Sequence, residues 1–331
     1  MKKLPLVVLL LIALSGCEKL LFPETPGQKP SEVFDEMWSV VNEKYTYFDL
    51  KSVDWRLLRD RYETQIQPEM SQRALFDTLA TMLSELEDGH VNLISPFDLA
   101  RNWDWYLNSP DNFSEDLVER HYLGRDHKIA GGLRYTILEG NIAYLYYGSF
   151  SSDISPQNLQ SVLNYFANTR GLIIDIRHNG GGSLNNAYRL AEAFVDAERT
   201  YLLRRFKTGP APKDFSSPFG ISLAPGPNQY RGPVALLTNR RSYSASNTFT
   251  AILSQLPQVT HLGDTTGGGG GIPIDYELPN GWRLRLSGTR ETTPSGLELE
   301  EGIPPDLPLQ LDTGLALQGI DNIIESARGL F

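Results

Sequence analysis

A short apolar run, Val234-Ala-Leu-Leu-Thr238, passes into a serine-rich turn and then into a helical pattern with Phe249, Ile252 and Leu253 on one face. A strand that feeds a helix through so tight a turn restricts the chain to a few architectures. It also leaves a side chain at the turn beside backbone N–H groups that no helical carbonyl can reach. The stretch reads Asn239-Arg-Arg-Ser-Tyr-Ser-Ala-Ser-Asn-Thr-Phe-Thr-Ala-Ile-Leu-Ser-Gln255, so three serines, Ser242, Ser244 and Ser246, compete for that position. Taken alone, the turn reads first as a serine N-cap and only second as an exposed nucleophile between strand and helix.

The surrounding pattern extends the constraint. Leu133–Leu138 and Ile142–Tyr147 predict paired strands around Gly140-Asn141. Leu159, Val162, Leu163 and Phe166 mark a helix, Leu172–Ile176 a buried strand, Leu190, Ala191 and Phe194 a further helix, and Tyr201–Phe206 another strand. This alternation predicts an α/β fold with a largely parallel sheet covered by helices. Gly209–Pro233, rich in proline and glycine, reads as a surface loop or cleft flap. Ile274–Leu278 and Trp282–Ser287 flank Pro279-Asn-Gly281 as a hairpin, and Asp312–Arg328 reads as a closing helix.

Ser31 to about Ile94 carries helical periodicity. Ser31 is placed to cap a helix bearing Val33, Met37, Val41 and Tyr45. Asp54 caps a second with Leu57, Leu58 and Tyr62 inward, and Ser71 a third with Leu75, Leu79, Met82 and Leu86. The segment ends at Leu86-Glu-Asp-Gly-His-Val-Asn-Leu93, where Gly89 can close a helix in a left-handed conformation and His90 falls at a helix-to-strand junction. Residues 96–132 show aromatics, including Trp103, Trp105, Tyr106 and Tyr122, without a steady period.

The first residues follow a different logic. Met1-Lys-Lys is a positive n-region, Leu4–Leu14 an apolar segment too short for the roughly 20 residues that span a bilayer, and Leu14-Ser-Gly-Cys17 a small-residue cleavage site. Cys17 is the single cysteine, so no disulfide can form within the chain, although a secretory signal implies an oxidising compartment. Residues 18–30, with three prolines, read as a tether. The formal charge of −10 falls to −12 once Lys2 and Lys3 are removed, and an acidic chain without a basic cluster argues against nucleic-acid binding.

Four blocks in order carry a family resemblance: Gly171-Leu-Ile-Ile-Asp-Ile-Arg-His-Asn-Gly-Gly-Gly-Ser183, the Ser244 stretch, Gly263-Asp-Thr-Thr-Gly-Gly-Gly-Gly-Gly271 and Glu300-Glu-Gly-Ile-Pro-Pro-Asp306. Over about residues 141–310 the chain resembles the S41 serine peptidases, which include tail-specific and tricorn-type proteases. The resemblance implies a spiral β-α core of the ClpP/crotonase kind over residues 133–331, a small helical domain over 31–95 and a connecting segment over 96–132. That connector is too short for the PDZ domain many relatives carry. Leu-Ser-Gly-Cys resembles a bacterial lipobox, implying a lipidated Cys17, a signal peptide over 1–17 and an outer-membrane location, most simply on the periplasmic face.

For the site, the resemblance implies Ser244 as nucleophile and a backbone oxyanion hole from Ala245 with Gly181 or Gly182. Relatives of the Ser-Lys type place a lysine where this chain has Gly269, and no lysine follows Lys213. A base is still required, and the Asp-Gly-His element resembles the one that supplies histidine in tricorn-like members. His90 is therefore the expected base, ahead of His178 and His261. A glutamate near the Gly-Ile-Pro-Pro-Asp motif is expected to orient it, with Glu300 favoured over Glu298 and Glu301. No metal or organic cofactor is implied, and the expected partner is a protein or peptide substrate. Two other readings share the fold: a catalytically silent peptide- or lipophile-binding lipoprotein, and an acyl-CoA enzyme of the crotonase type, which a secretory signal disfavours.

Overall fold

The computed structural model describes residues 29–103 and 108–331. The expected signal segment with Cys17, most of the expected tether, and Trp105 and Tyr106 lie outside the described residues.

Three helices come first: α1 (Pro30–Lys44), α2 (Trp55–Glu63) and α3 (Gln72–Ser84). Asp54 and Ser71 cap α2 and α3 through their side chains, but α1 starts differently from the expectation. Its N-cap is Lys29, with Pro30 as the first helical residue; proline fits there because its missing N–H would have had no partner. Leu57 is 58% exposed while Leu58 and Tyr62 are buried, so the inward face of α2 is narrower than the sequence suggested. After α3 the left-handed residue is Glu87 (φ 45°), not Gly89.

Strands β1 (Asn92–Ile94) and β2 (Leu99–Arg101) follow, then α4 (Glu115–Val118), which runs into a π-helical turn over Glu119–Leu123. The main unit then alternates β3 (Lys128–Ala130), β4 (Leu133–Leu138), β5 (Ile142–Tyr146), α5 (Pro156–Tyr165), β6 (Leu172–Asp175), α6 (Leu184–Ala191), β7 (Arg199–Phe206), β8 (Phe219–Leu223), β9 (Val234–Thr238), α7 (Ala245–Leu253) and β10 (Val259–Gly263). The chain closes with β11 (Pro273–Glu277), β12 (Arg283–Ser287), β13 (Thr289–Thr292), β14 (Leu307–Pro308), α8 (Thr313–Ala316) and α9 (Asn322–Arg328). The expected single closing helix is broken between α8 and α9, where Gly319 takes φ 85°. The expected loop over 209–233 contains β8, which pairs antiparallel with β7.

The main sheet has the order β14-β10-β9-β6-β5-β4-β3, parallel from β14 to β5 and antiparallel beyond. Strands β5, β6 and β9 are buried along their whole length, which is why they read as unbroken apolar runs. Period-2 alternation divides their side chains between two layers. Leu145, Ile174 and Leu236 pack with Leu159, Leu190, Phe249 and Ile252 of α5, α6 and α7. Tyr144, Ile173 and Leu237 pack on the other side with Val118, Ile323 and Ile324 of α4 and α9. Each fully buried aliphatic side chain contributes about 2 kcal/mol in removed apolar surface.

A third apolar cluster joins α1, α2 and α3 to distant sequence. Met37, Leu79, Met82 and Leu93 pack against Leu278, Trp282, Leu284 and Leu286 of the β11–β12 hairpin. That hairpin belongs to a four-stranded sheet, β11-β12-β1-β2, in which Asn92 of β1 pairs with Arg285 of β12. No helix among the described residues is long and apolar enough to cross a membrane.

Candidate active site

Ser244 stands at the junction of β9 and α7 with φ 57° and ψ −118°, a conformation an L-residue adopts at a cost of about 1–3 kcal/mol. Its hydroxyl makes no capping hydrogen bond, so it does not serve the role that makes serine common at helix starts. Its neighbours do the structural work. Ser242 donates to the Ile176 carbonyl (2.8 Å) and Ser246 to the Asn179 carbonyl (2.7 Å). The Ser244 N–H donates to the Gly268 carbonyl (2.9 Å), and the Tyr243 N–H to that of Asn179 (3.1 Å). These bonds hold the strained turn from both sides.

His90 reaches this turn from the end of the helical segment. Its Nε2 lies 3.2 Å from Ser244 Oγ, across 154 residues of sequence. Asp88 fixes the loop: its carboxylate accepts from the His90 N–H (2.8 Å) and from the Ser287 hydroxyl (2.8 Å), and it is fully buried. The Tyr243 ring packs on the imidazole with centroids 5.0 Å apart. Burial lowers the His90 pKa from its ordinary value of 6.5; Asp88 and the Gly271 backbone oppose this, and Arg285 adds to it.

The alternative histidines are engaged elsewhere. His178 takes φ 61° and holds Asp111 through Nε2 (3.1 Å). His261, on β10, contacts the Thr238 hydroxyl through Nε2 (2.6 Å), and burial pulls its pKa down to about 4.

Glu300 is buried, but among the described residues no hydrogen bond or ion pair joins it to His90. Its carboxylate meets Lys51 Nζ (3.0 Å) and accepts from the Gly270 N–H (3.1 Å). Burial, reinforced by Asp88, pushes its pKa up to about 8 against the pull of Lys51 and Gly270. The expected orienting contact is thus replaced by a brace on the glycine loop. Glu298 pairs with Arg290 (2.8 Å), and Glu301 is exposed. Asp88 escaped the sequence reading, although it lies two residues from His90 within the motif that drew attention.

The glycine turn packs directly on the nucleophile turn. A Cβ on Gly181 would come within 2.6 Å of the Tyr243 carbonyl oxygen and 2.9 Å of the Ala245 nitrogen. The Gly181 N–H itself donates to Asn179 Oδ1 (3.0 Å). The N–H groups of Gly182 and Ala245 donate to no protein acceptor among the described residues. Gly269 has φ 75°, and a Cβ there would fall 2.5 Å from Tyr243 Cζ, so the Tyr243 ring fills the space a side chain would need.

A cleft of about 280 Å³ opens over Ser244, lined by Gly182, Asn185, Thr248, Gly270, Ile272 and Arg285 among others. Among the described residues no group of three or more His, Cys, Asp or Glu side chains could hold a metal ion.

A serine on a strained turn, an imidazole in contact with it and free amides beside it define the class of serine-nucleophile hydrolases. Residues 141–309 match the sequence model of peptidase family S41, and the chain belongs to that family. Residues 26–84 match the Tricorn protease C1 domain. The chain is 26% identical over 187 residues to the "Probable CtpA-like serine protease" of Staphylococcus aureus (strain N315), a match covering 56% of this chain and 36% of that protein, so it spans about a third of that relative's length. A crystal structure from Parabacteroides merdae ATCC 43184, of a protein provisionally named a peptidase, superposes with a TM-score of 0.88 at 42% identity, covering 92% of this chain and 97% of that one. The mature form of CPAF in complex with lactacystin shares the fold at a TM-score of 0.65 and 13% identity, covering 91% and 97% of the two chains. The architecture is that of the S41 peptidases.

Proposed function

We propose that this chain is a serine peptidase in which Ser244 attacks the scissile carbonyl and His90 takes its proton. The observation that carries the reading is the 3.2 Å approach of His90 Nε2 to a serine hydroxyl held at φ 57° without any capping role. The base removes the hydroxyl proton as the Oγ–carbonyl bond forms, then returns it to the leaving amine. The Ala245 and Gly182 amides are the donors left to receive the oxyanion; Gly181 supports them through Asn179. Asp88 positions the His90 backbone, and Glu300 braces the loop facing it. In this scheme residues 31–95 supply the base and residues 133–331 the nucleophile, with 96–132 connecting them.

The test is covalent labelling with a fluorophosphonate, whose phosphorus an activated serine attacks with loss of fluoride. The expected result is an adduct mapped by mass spectrometry to Ser244. A folded protein left unlabelled there would favour the silent peptide- or lipophile-binding reading.

The same proposal places the protein in a bacterial envelope, anchored by lipid on Cys17, with membrane contact through that lipid. The support is the Leu-Ser-Gly-Cys17 sequence after an apolar segment of about 11 residues, too short to span a bilayer. A Cys17→Ala variant is expected to lose metabolic incorporation of a labelled fatty acid and to leave the membrane fraction. Retention of covalent lipid by that variant would refute the anchor.

A further inference from the structure

The cleft over Ser244 contains two charged side chains, Arg285 and Glu291, and they differ in kind. Glu291 is 1% exposed, and its carboxylate is bound by Arg204 Nε at 2.6 Å, so its charge is met within the protein. Arg285 has no ion-pair partner among the described residues. The acid directly across the hairpin from it, Asp275, pairs instead with Arg283 at 3.6 Å. Alternation along β12 explains where Arg285 stands. Leu284 and Leu286 face the apolar cluster of the helical segment, so Arg285 shares the opposite face with Ser287, whose hydroxyl holds Asp88 below His90. The remainder of the cleft is neutral, built from glycines, Ser183, Leu184, Asn185, Thr248, Ile272 and Pro273.

A half-buried guanidinium beside a reacting serine is suited to a planar anion, because its fork of N–H donors matches a carboxylate in two parallel hydrogen bonds. Exclusion of water by a bound peptide would strengthen that contact. We propose that Arg285 is a specificity-determining residue that binds a substrate carboxylate close to the scissile bond. The inference rests on the peptidase reading above and names what its cleft selects. The carboxylate comes either from an aspartate or glutamate side chain or from the free carboxy-terminus of the peptide; both present the same group to Arg285.

The experiment is digestion of a defined peptide library by the full-length protein, run in parallel with free and amidated carboxy-termini, with cleavage sites read by mass spectrometry. Melting temperatures establish that each variant is folded. Wild type is expected to cut peptides carrying the carboxylate at least about tenfold more efficiently than matched glutamine, asparagine or amidated peptides, the range expected when a charged hydrogen-bonding partner is removed. A preference that survives amidation identifies an acidic side chain; one that disappears on amidation identifies the terminus. Arg285→Gln is expected to abolish the preference, Arg285→Lys to keep part of it, and Arg285→Glu to shift selection towards lysine- or arginine-bearing peptides. Cleavage by wild type without any dependence on a carboxylate would overturn the inference, as would an unchanged preference in folded Arg285→Gln. A fluorophosphonate-reactive Ser244 with no library peptide cut also counts against it. Failure of both labelling and cleavage would overturn the peptidase reading itself.

Discussion

A Ser244→Ala variant is expected to lose peptide hydrolysis by at least about 10⁴-fold, the scale seen when the nucleophile of such an arrangement is removed. The loss should fall on kcat, because the hydroxyl bonds covalently to the substrate and contributes little to holding it. The same position yields a second readout. With φ at 57°, Ser244 pays a conformational penalty that glycine would not, so Ser244→Gly is expected to be as inactive as the alanine variant yet more stable than wild type by about 1 kcal/mol. That figure is the strain of about 1–3 kcal/mol less the extra entropy of an unfolded glycine, about 0.5–1 kcal/mol. Turnover of one peptide and a urea midpoint check both halves. Hydrolysis surviving in folded Ser244→Ala would remove this serine from the mechanism.

His90→Ala is expected to lower kcat at least about a hundredfold, the low end of a general-base contribution. The pH profile adds a feature that loss of structure would not mimic. The base must be neutral, so kcat/KM rises as His90 sheds its proton. Burial, with help from Arg285, lowers its pKa from the ordinary 6.5, outweighing Asp88 and the Gly271 backbone. The acid limb of wild type should therefore lie below pH 6.5, and Asp88→Asn should move it lower still by removing a charge that favours the proton. Lys51→Ala should leave the limb in place, since Lys51 is tied to Glu300 and to the Glu87 carbonyl. Full activity in folded His90→Ala would send the search for a base to His178 and His261.

The local grammar of the chain made much of this legible. Strands β5, β6 and β9 are buried on both faces and read as apolar runs, and the order of the glycine turn, serine turn and glycine loop carried the S41 resemblance. Ser244 and His90 each sat at a recognisable junction, and the S41 resemblance singled them out from the neighbouring serines and the other histidines. Residues whose roles depend on distant partners were hidden. Arg285 looks like any arginine on an amphipathic strand until Asp275 is seen to pair with Arg283. Asp88 reads as a turn residue until Ser287, 199 positions away, completes its hydrogen bonds. Glu300 misled for the same reason, because the motif marks its place near the site and not the lysine it meets. Strand β8 was lost in a proline- and glycine-rich segment, where pairing with β7 supplies the order that propensity does not.

The hairpin β11–β12 gives the site a property of its own. One face of it completes the apolar interior of the first three helices, and its other face presents Arg285 to the cleft and the buried Ser287 hydroxyl to Asp88. His90 comes from the helical side of that contact and Ser244 from the parallel sheet, so under the proposed mechanism competence to cleave is a joint property of two packed bodies. A chain whose sheet has formed but whose helices have not yet docked would lack that base and be a harmless one, unable to cut itself or its neighbours. In mild denaturant, activity should fade before the sheet melts, because the apolar seam around Leu284 and Leu286 needs only to part by a few ångströms to take the imidazole out of reach.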